Sequence, residues 1–208
     1  MATTSLLIAD AGSTDRTVEV AQSFRPRLSI RIIPGGLPSV GRNAGARLAT
    51  SRYLLFLDAD IELADPTLIR RAVELMKRKS LHCLTTDIFC RDGKFSDRFL
   101  YRANNFAQRM SRFHRPYSTG MFMLVDRAAF EALGGFDERA LFAEDYQLTR
   151  QFARQRFRTV RGGIYSTNRR FEKTGRFKMM RMFLNAYLHS GNQNFFRRDA
   201  HRSYWKSY

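Results

Sequence analysis

Tyr53-Leu54-Leu55-Phe56-Leu57 is an apolar run that ends directly in Asp58-Ala59-Asp60. Such a run predicts a buried strand that delivers a pair of carboxylates to its C-terminal tip. On an extended backbone alternate side chains point the same way, so Asp58 and Asp60 are expected to converge on one point. The C-terminal tips of strands are where open α/β sheets bind their ligands. Hard carboxylate oxygens at such a tip suit Mg²⁺, which takes one or two protein carboxylates together with water and substrate phosphates. An Asp-x-Asp triplet can equally end a strand and cap a turn, so its meaning depends on the rest of the chain.

Short apolar runs alternate with helical patterns along the sequence, which predicts βαβ units and a mainly parallel sheet. Strands are expected at Ser5–Ala9, Leu28–Ile33, Tyr53–Leu57, Leu81–Phe89 and Met121–Val125, with an extended Thr159–Thr167. Helices are expected at Asp15–Phe24, Gly41–Ala49, from Pro66 to Lys79, and at Asp97–Phe113. Three more follow at Arg127–Leu133, Glu144–Phe157 and Arg176–Ser190. Pro66 suits a first helical turn, and Gly134-Gly135 stops the helix before it. No internal repeat or low-complexity linker interrupts the pattern.

Length and composition suit one domain with a real core: 208 residues, 44% hydrophobic. No segment approaches the apolar length of a membrane span. Residues 1–9 lack a basic start and a long apolar stretch, so no secretory leader is expected. Cys83 and Cys90 have no CxxC spacing, which suggests neither a disulfide framework nor a zinc site and fits a reducing cytoplasm. His82, His114, His189 and His201 form no local ligand pattern. Charge is the unusual part: 36 Lys and Arg against 19 Asp and Glu give a net +17. That excess implies an anionic partner, whether nucleic acid, lipid surface or phosphorylated substrate.

Several segments match one family in order. Asp10-Ala-Gly12-Ser13-Thr14-Asp15 follows a strand and resembles the nucleotide-contacting segment of family-2 glycosyltransferases with the GT-A fold. Gly41-Arg42-Asn43-Ala44-Gly45 resembles their Arg-Asn-x-Gly helix start, and Leu57-Asp58-Ala59-Asp60 their Asp-x-Asp motif. Gly134-Gly135-Phe136-Asp137-Glu138, followed by Glu144-Asp145, is similar to their acceptor-side signature. Each element alone is weak; four in the right order across roughly residues 5–160 are specific. The resemblance implies a Rossmann-like GT-A fold, a mostly parallel sheet flanked by helices, over 1–172. A basic, aromatic-rich helical segment, 173–208, would pack on that domain or on a membrane surface.

The resemblance also implies roles. Asp10 would hydrogen-bond the base of a nucleotide-sugar donor, and Arg42 would lie near the nucleotide or diphosphate. Asp58 would approach ribose or metal, and Asp60 would hold a divalent Mg²⁺ or Mn²⁺ bridging the diphosphate. Asp145 would be the general base for an acceptor hydroxyl. The chemistry agrees, because a diphosphate leaving group needs its charge neutralised and an inverting transfer needs a base. At a helix N-terminus Asp145 is expected to stay ionised, although Glu144 and Asp145 can also simply cap their helix. Gly135 and Glu144 are candidate acceptor-side contacts. Arg169 and Arg170 could clamp a diphosphate with bidentate geometry, or form a solvated basic turn. Ser13 and Asp15 are better read as ligands of the helix-start backbone.

One departure concerns the start. In the family a strand and helix precede the Asp10 strand, and this chain begins at about the family's second strand. An apolar slot is therefore expected between Ser5–Ala9 and Tyr53–Leu57, with unpaired backbone on both sides. In Asp97–Phe113 an apolar face of Phe99, Ala103, Phe106, Met110 and Phe113 adjoins Arg98, Arg102, Arg109 and Arg112. The preferred reading packs that face on the sheet, with arginine stems reaching water. For Arg176–Ser190, packing on the sheet and lying in an anionic membrane interface both stay open.

The expected function is transfer of a sugar from a nucleotide-diphosphate donor, metal-dependent and inverting, to a lipid-linked or envelope acceptor. The location would be cytoplasmic, at most peripheral on the inner face of the membrane. A basic nucleic-acid-binding module is the alternative from another class. Phe195-Phe196-Arg197-Arg198 and Tyr204-Trp205-Lys206 fit it loosely, but it leaves the carboxylates unexplained. A catalytically dead, membrane-associated remnant is a third.

Overall fold

The computed structural model describes residues 5–198; within them the side chains of Arg170, Phe171 and Lys173 lie outside the description. His201 and the 204–206 aromatic-basic cluster also lie outside the described residues.

The chain opens with β1 (Ser5–Asp10), α1 (Thr17–Ser23) and β2 (Ser29–Pro34), and β1 pairs with β2 in parallel. Next come α2 (Pro38–Leu48), β3 (Tyr53–Leu57), the short β4 (Glu62–Leu63), α3 (Leu68–Lys79) and β5 (Cys83–Cys90). Then follow α4 (Phe95–Ser111), β6 (Phe122–Asp126), α5 (Arg127–Ala132) and α6 (Glu144–Thr149). The last elements are β7 (Phe157–Ser166), α7 (Arg169–Thr174), α8 (Arg176–Leu188) and α9 (Gln193–Phe196).

The larger sheet has the order β3-β6-β5-β7-β4. Its β5–β7 pairing is parallel, whereas β3–β6, β5–β6 and β4–β7 are antiparallel. The α/β class stands as expected, but the sheet is mixed rather than mostly parallel. The reason lies in β6, which enters between β3 and β5 running against both.

Alternation along β6 explains the layering, since successive side chains leave a strand on opposite faces. Phe122 and Leu124 join Leu68, Ala72 and Met76 of α3, with Leu84, Ile88 and Ile164, in one buried cluster. Met123 and Val125 join Ala46 of α2, Phe130 of α5 and Leu148 of α6, with Leu54, Phe56 and Phe157, in another. The sheet is thus covered on both faces, with α2 and α6 packed on the side of Leu54 and Phe56 of β3.

Element ends shift by a few residues from expectation, and larger differences have local causes. The helix expected over Glu144–Phe157 stops at Thr149, and a single 3-10 turn at Arg154–Arg156 leads into β7. Phe157 is fully buried and pairs with Cys83, so the chain must leave the helix to place it in the sheet. α2 begins earlier than expected because Pro38, with its preset φ, starts the first turn.

The two sheets are separate: among the described residues no ladder joins β1 to β3. The expected gap between those strands therefore appears as two unpaired edges. In the β1–β2 half, α1 buries no residue, and Leu6, Val20, Phe24 and Leu28 are exposed.

Particular residues between 173 and 198 touch the preceding chain. Ala186, Phe195 and Phe196 share a cluster with Ala140 and Phe142, and the Leu141 N–H donates to the Phe196 carbonyl at 2.8 Å. Arg197 donates twice to Asp137, at 2.8 and 2.6 Å.

The face that α4 turns inward departs from expectation. It buries Asp97, Tyr101, Asn105 and Gln108, and leaves Phe99, Phe106, Met110 and Phe113 exposed. The Asn105 side chain accepts from the Ile88 N–H and donates to the Ile88 carbonyl, at 2.9 and 2.8 Å. Those bonds satisfy buried backbone groups of β5, which would be costly to leave unpaired.

Candidate active site

The centre of the site is Arg42. As part of α2, it reaches the tip of β3 and donates to Asp58 Oδ1 at 2.7 Å and to Glu144 Oε1 at 2.6 Å. Its guanidinium also lies over the Phe136 ring, 5.6 Å from the centroid. Two segments expected to act together, the Arg-Asn helix and the Asp-x-Asp tip, are thus joined to Glu144 of the Glu-Asp pair by one side chain. Burial disfavours the charged guanidinium, but Glu144, Asp58 and Asp145 outweigh that and raise its pKa.

Gly120, just before β6, makes the arrangement possible. A Cβ there would stand 2.4 Å from an Arg42 terminal nitrogen, so any other residue would displace the guanidinium. Its N–H donates to Asp145 Oδ2 at 2.6 Å. The preceding loop is fixed by the buried Gln108, which accepts from the Thr119 N–H at 3.2 Å, and by Thr149, whose hydroxyl oxygen accepts from the Ser118 N–H at 3.3 Å. Gly120 and Gln108 were not singled out from the sequence. A lone glycine ahead of a strand is the one local signal of close backbone approach that was present.

Asn43, next to Arg42, ties α2 to the acceptor-side segment. It donates to the Phe136 carbonyl at 2.8 Å and to Glu138 at 2.9 Å, and accepts from the Phe136 N–H at 3.0 Å. Gly135 has a φ of +75°, and a Cβ there would meet the Asn43 oxygen at 2.8 Å. Gly135 therefore lets Phe136 come under Arg42, alongside its role in stopping α5.

Glu144 and Asp145 begin α6 as expected, and both are raised in pKa chiefly by burial. Asp145 adds to the rise at Glu144, which is pushed up to about 7, while Arg42 opposes it. At Asp145 the charge of Arg42 and the N–H groups of Gly120 and Tyr146 oppose burial. The helix-end expectation for Asp145 thus meets a burial effect of opposite sign.

The remaining predicted residues lie apart from this cluster or at its edge. After β3 the chain turns at residues 59–60 rather than staying extended. Asp58 consequently meets Arg42, while the exposed Asp60 meets Arg169 at 3.4 Å. Arg169 begins α7, an element not expected from the sequence; Arg170 follows it there, with its side chain outside the description. Asp10 accepts from the Gly12 and Ser13 N–H groups, each at 3.1 Å, and from the Ser13 hydroxyl at 2.5 Å. Its pKa is lowered, first by that hydroxyl. Asp15 caps Thr17 in the same manner, as expected.

For a divalent ion, the tip offers Asp60 as an accessible carboxylate and Asp58 as one already shared with Arg42. Among the described residues no cluster of three or more His, Cys, Asp or Glu side chains surrounds them. One or two hard oxygens facing a diphosphate are a fitting donor set for Mg²⁺ or Mn²⁺, because phosphate and water complete the shell.

The profile of Glycosyl transferase family 2 matches residues 3–134. A PGL/p-HBAD biosynthesis glycosyltransferase of Mycobacterium tuberculosis is 33% identical over 111 residues, covering 48% of this chain and 43% of that protein. A validoxylamine A glucosyltransferase of Streptomyces hygroscopicus is 38% identical over 69 residues, 31% of this chain and 16% of that protein. The chain thus spans less than half the length of the curated relatives it matches.

Among solved structures, S. aureus TarS in complex with UDP-GlcNAc superposes with a TM-score of 0.62 at 17% identity, covering 78% of this chain and 49% of that one. Mannosyltransferase PcManGT from Pyrobaculum calidifontis, in complex with GDP-Man and Mn²⁺, gives 0.59 at 18%, covering 78% and 47%. These likenesses show the GT-A type of α/β fold. With a profile match that spans more than half of its 208 residues, the chain belongs to Glycosyl transferase family 2.

Proposed function

We propose that this chain transfers a sugar from a nucleotide-diphosphate donor to an acceptor hydroxyl, with inversion, using Asp145 as the base. The observation that carries the reading is the Arg42 cluster, in which two further motifs, the Asp-x-Asp tip and the Glu-Asp pair, supply Asp58, Glu144 and Asp145 around one guanidinium. Donor complexes of TarS and PcManGT, proteins of the same fold, support a nucleotide-sugar donor. Asp10 and Asp58 would face the nucleoside, and Arg42 the nucleotide or diphosphate.

A divalent Mg²⁺ or Mn²⁺, held by Asp60, would neutralise charge on the leaving diphosphate. Arg169, which meets Asp60 at 3.4 Å, would add to that neutralisation, with Arg170 next to it in sequence. Asp145 would take the acceptor proton, and burial that raises its pKa makes it a stronger base once ionised. Gly120 holds one Asp145 oxygen through its N–H, fixing the carboxylate's direction. Gly135 and Glu144 would border the acceptor. A lipid-linked or envelope acceptor, met at the inner face of an anionic membrane, suits a chain of net charge +17. A nucleic-acid-binding role would leave the carboxylate cluster without a purpose.

The test is Asp145→Asn, which keeps shape but removes the base. Donor binding should persist while transfer falls by roughly 10²–10⁴-fold, the usual contribution of general base catalysis. Near-normal turnover would mean that the base lies elsewhere.

A further inference from the structure

α4 and α8 leave their apolar sides uncovered. Along α4, Phe95, Phe99, Phe106 and Met110, with Phe113 just beyond, recur at helical spacing and form one stripe. Phe95 is 86% and Phe106 65% exposed, so this stripe is no part of the core. It cannot roll inward, because the opposite face of α4 is pinned to β5 by the two Asn105 bonds and by Arg109 pairing with Asp87.

On α8, Met179 and Ala186 are buried, while Phe177, Met180, Phe183, Leu184, Tyr187 and Leu188 are exposed. The helices are joined at their first turns: Arg176 donates to both oxygens of the buried Asp97, at 2.5 and 2.9 Å.

Charge decides what covers them. Arg98, Arg102 and Arg112 flank the α4 stripe, and Lys178 and Arg181 stand among the apolar side chains of α8; all are exposed. Beyond Asp97, already paired, neither helix carries an acidic residue. A second copy of a +17 chain would bring like charges together at this face, and like charges oppose association. Among the described residues no helix is long and apolar enough to cross a membrane. Aromatic and aliphatic side chains edged by cations of one sign suit helices that lie in a lipid interface.

We propose that α4 and α8 together form a docking face for an anionic lipid bilayer, with the apolar side chains in the interface and the cations at the headgroups. The face lies close in sequence to the site's edge, since α7, which begins with the Asp60-contacting Arg169, leads directly into α8. The proposal draws on the transferase reading only for the position of an acceptor.

Co-sedimentation of the full chain with phosphatidylcholine vesicles, with and without phosphatidylserine, tests it with no donor or acceptor present. A failure here would remove the membrane as the place where the acceptor is met and leave sugar transfer and its base untouched. Retention is expected only with phosphatidylserine and should weaken as salt rises. Each basic residue near an anionic surface contributes roughly five-fold, so Arg98→Gln with Arg102→Gln should weaken binding by roughly ten-fold or more. Phe99→Ser with Phe106→Ser, and Phe183→Ser with Leu184→Ser, should each do the same with the unfolding temperature kept. Equal retention on both vesicles, no retention, or variants that bind like the parent would overturn the proposal. So would dimers in vesicle-free solution that Phe99→Ser with Phe106→Ser abolishes, since they would assign the face to a second copy.

Discussion

Asp58 and Asp60 come from one tripeptide yet meet different cations, and the difference tells which is open to a metal. Asp58 is held by a buried guanidinium, whereas among the described residues Asp60 has an exposed contact with Arg169 at 3.4 Å. Exposed pairs of that kind contribute little and yield easily to a stronger ligand. Mg²⁺ or Mn²⁺ should therefore strengthen nucleotide-diphosphate binding to the parent chain and not to Asp60→Ala. Calorimetry with and without EDTA reads this directly; equal, metal-independent affinity in both proteins would remove Asp60 from the site.

A second expectation at this scale concerns pH. Burial raises both Glu144 and Asp145, so the folded chain keeps protons that the unfolded chain releases. The stability tied to Glu144 is fully present below its ordinary 4.5 and is lost as pH rises through about 7. Transfer needs ionised Asp145, whose pKa burial raises, so the rate should climb with pH above the ordinary carboxylate range. A rate that is flat there would show that neither proton controls turnover. Asp10, Asp58 and the Glu144-Asp145 pair were legible because each sits at the end of a patterned element, and Arg42 because its Arg-Asn-x-Gly context stands beside a Pro-Gly-Gly-Leu-Pro loop. Gly120 and Gln108 were not, because their roles come from side chains that reach them from distant segments.

Among elements, apolar runs placed the longer strands and helices to within a few residues, but orientation and facing escaped. β6 runs against its neighbours because of where its connection brings it, which no periodicity encodes. α6 is short because Phe157 is needed in the sheet. α4 shows the limit most plainly. Its phenylalanine stripe reads as a core face, yet Asn105 and Gln108 turn inward because unpaired groups of β5 and of the loop before Gly120 need partners. An apolar stripe states that something covers it, not that the covering belongs to the same domain.

At the level of the whole molecule, the family and the α/β class could be read from four ordered motifs, whereas the division into two sheets could be read only from the expected slot. That division has a consequence for how the molecule breathes. Apart from Ile33, the β1–α1–β2 half places no hydrophobic side chain in the buried core, while β5 and β6 are buried on both faces. Among the described residues no ladder ties it to the larger sheet, and it is held chiefly by packing of β1 and β2 on α2, so this half is expected to open before the rest, as weakly packed units do. Amide exchange should run through Ser5–Pro34 well before it reaches Cys83–Cys90 or Phe122–Asp126, and uniform protection would refute that order. The loop holding Asp10 belongs to the half that opens first, so a nucleoside bound there would act as a clasp and slow exchange across a region far larger than its own footprint.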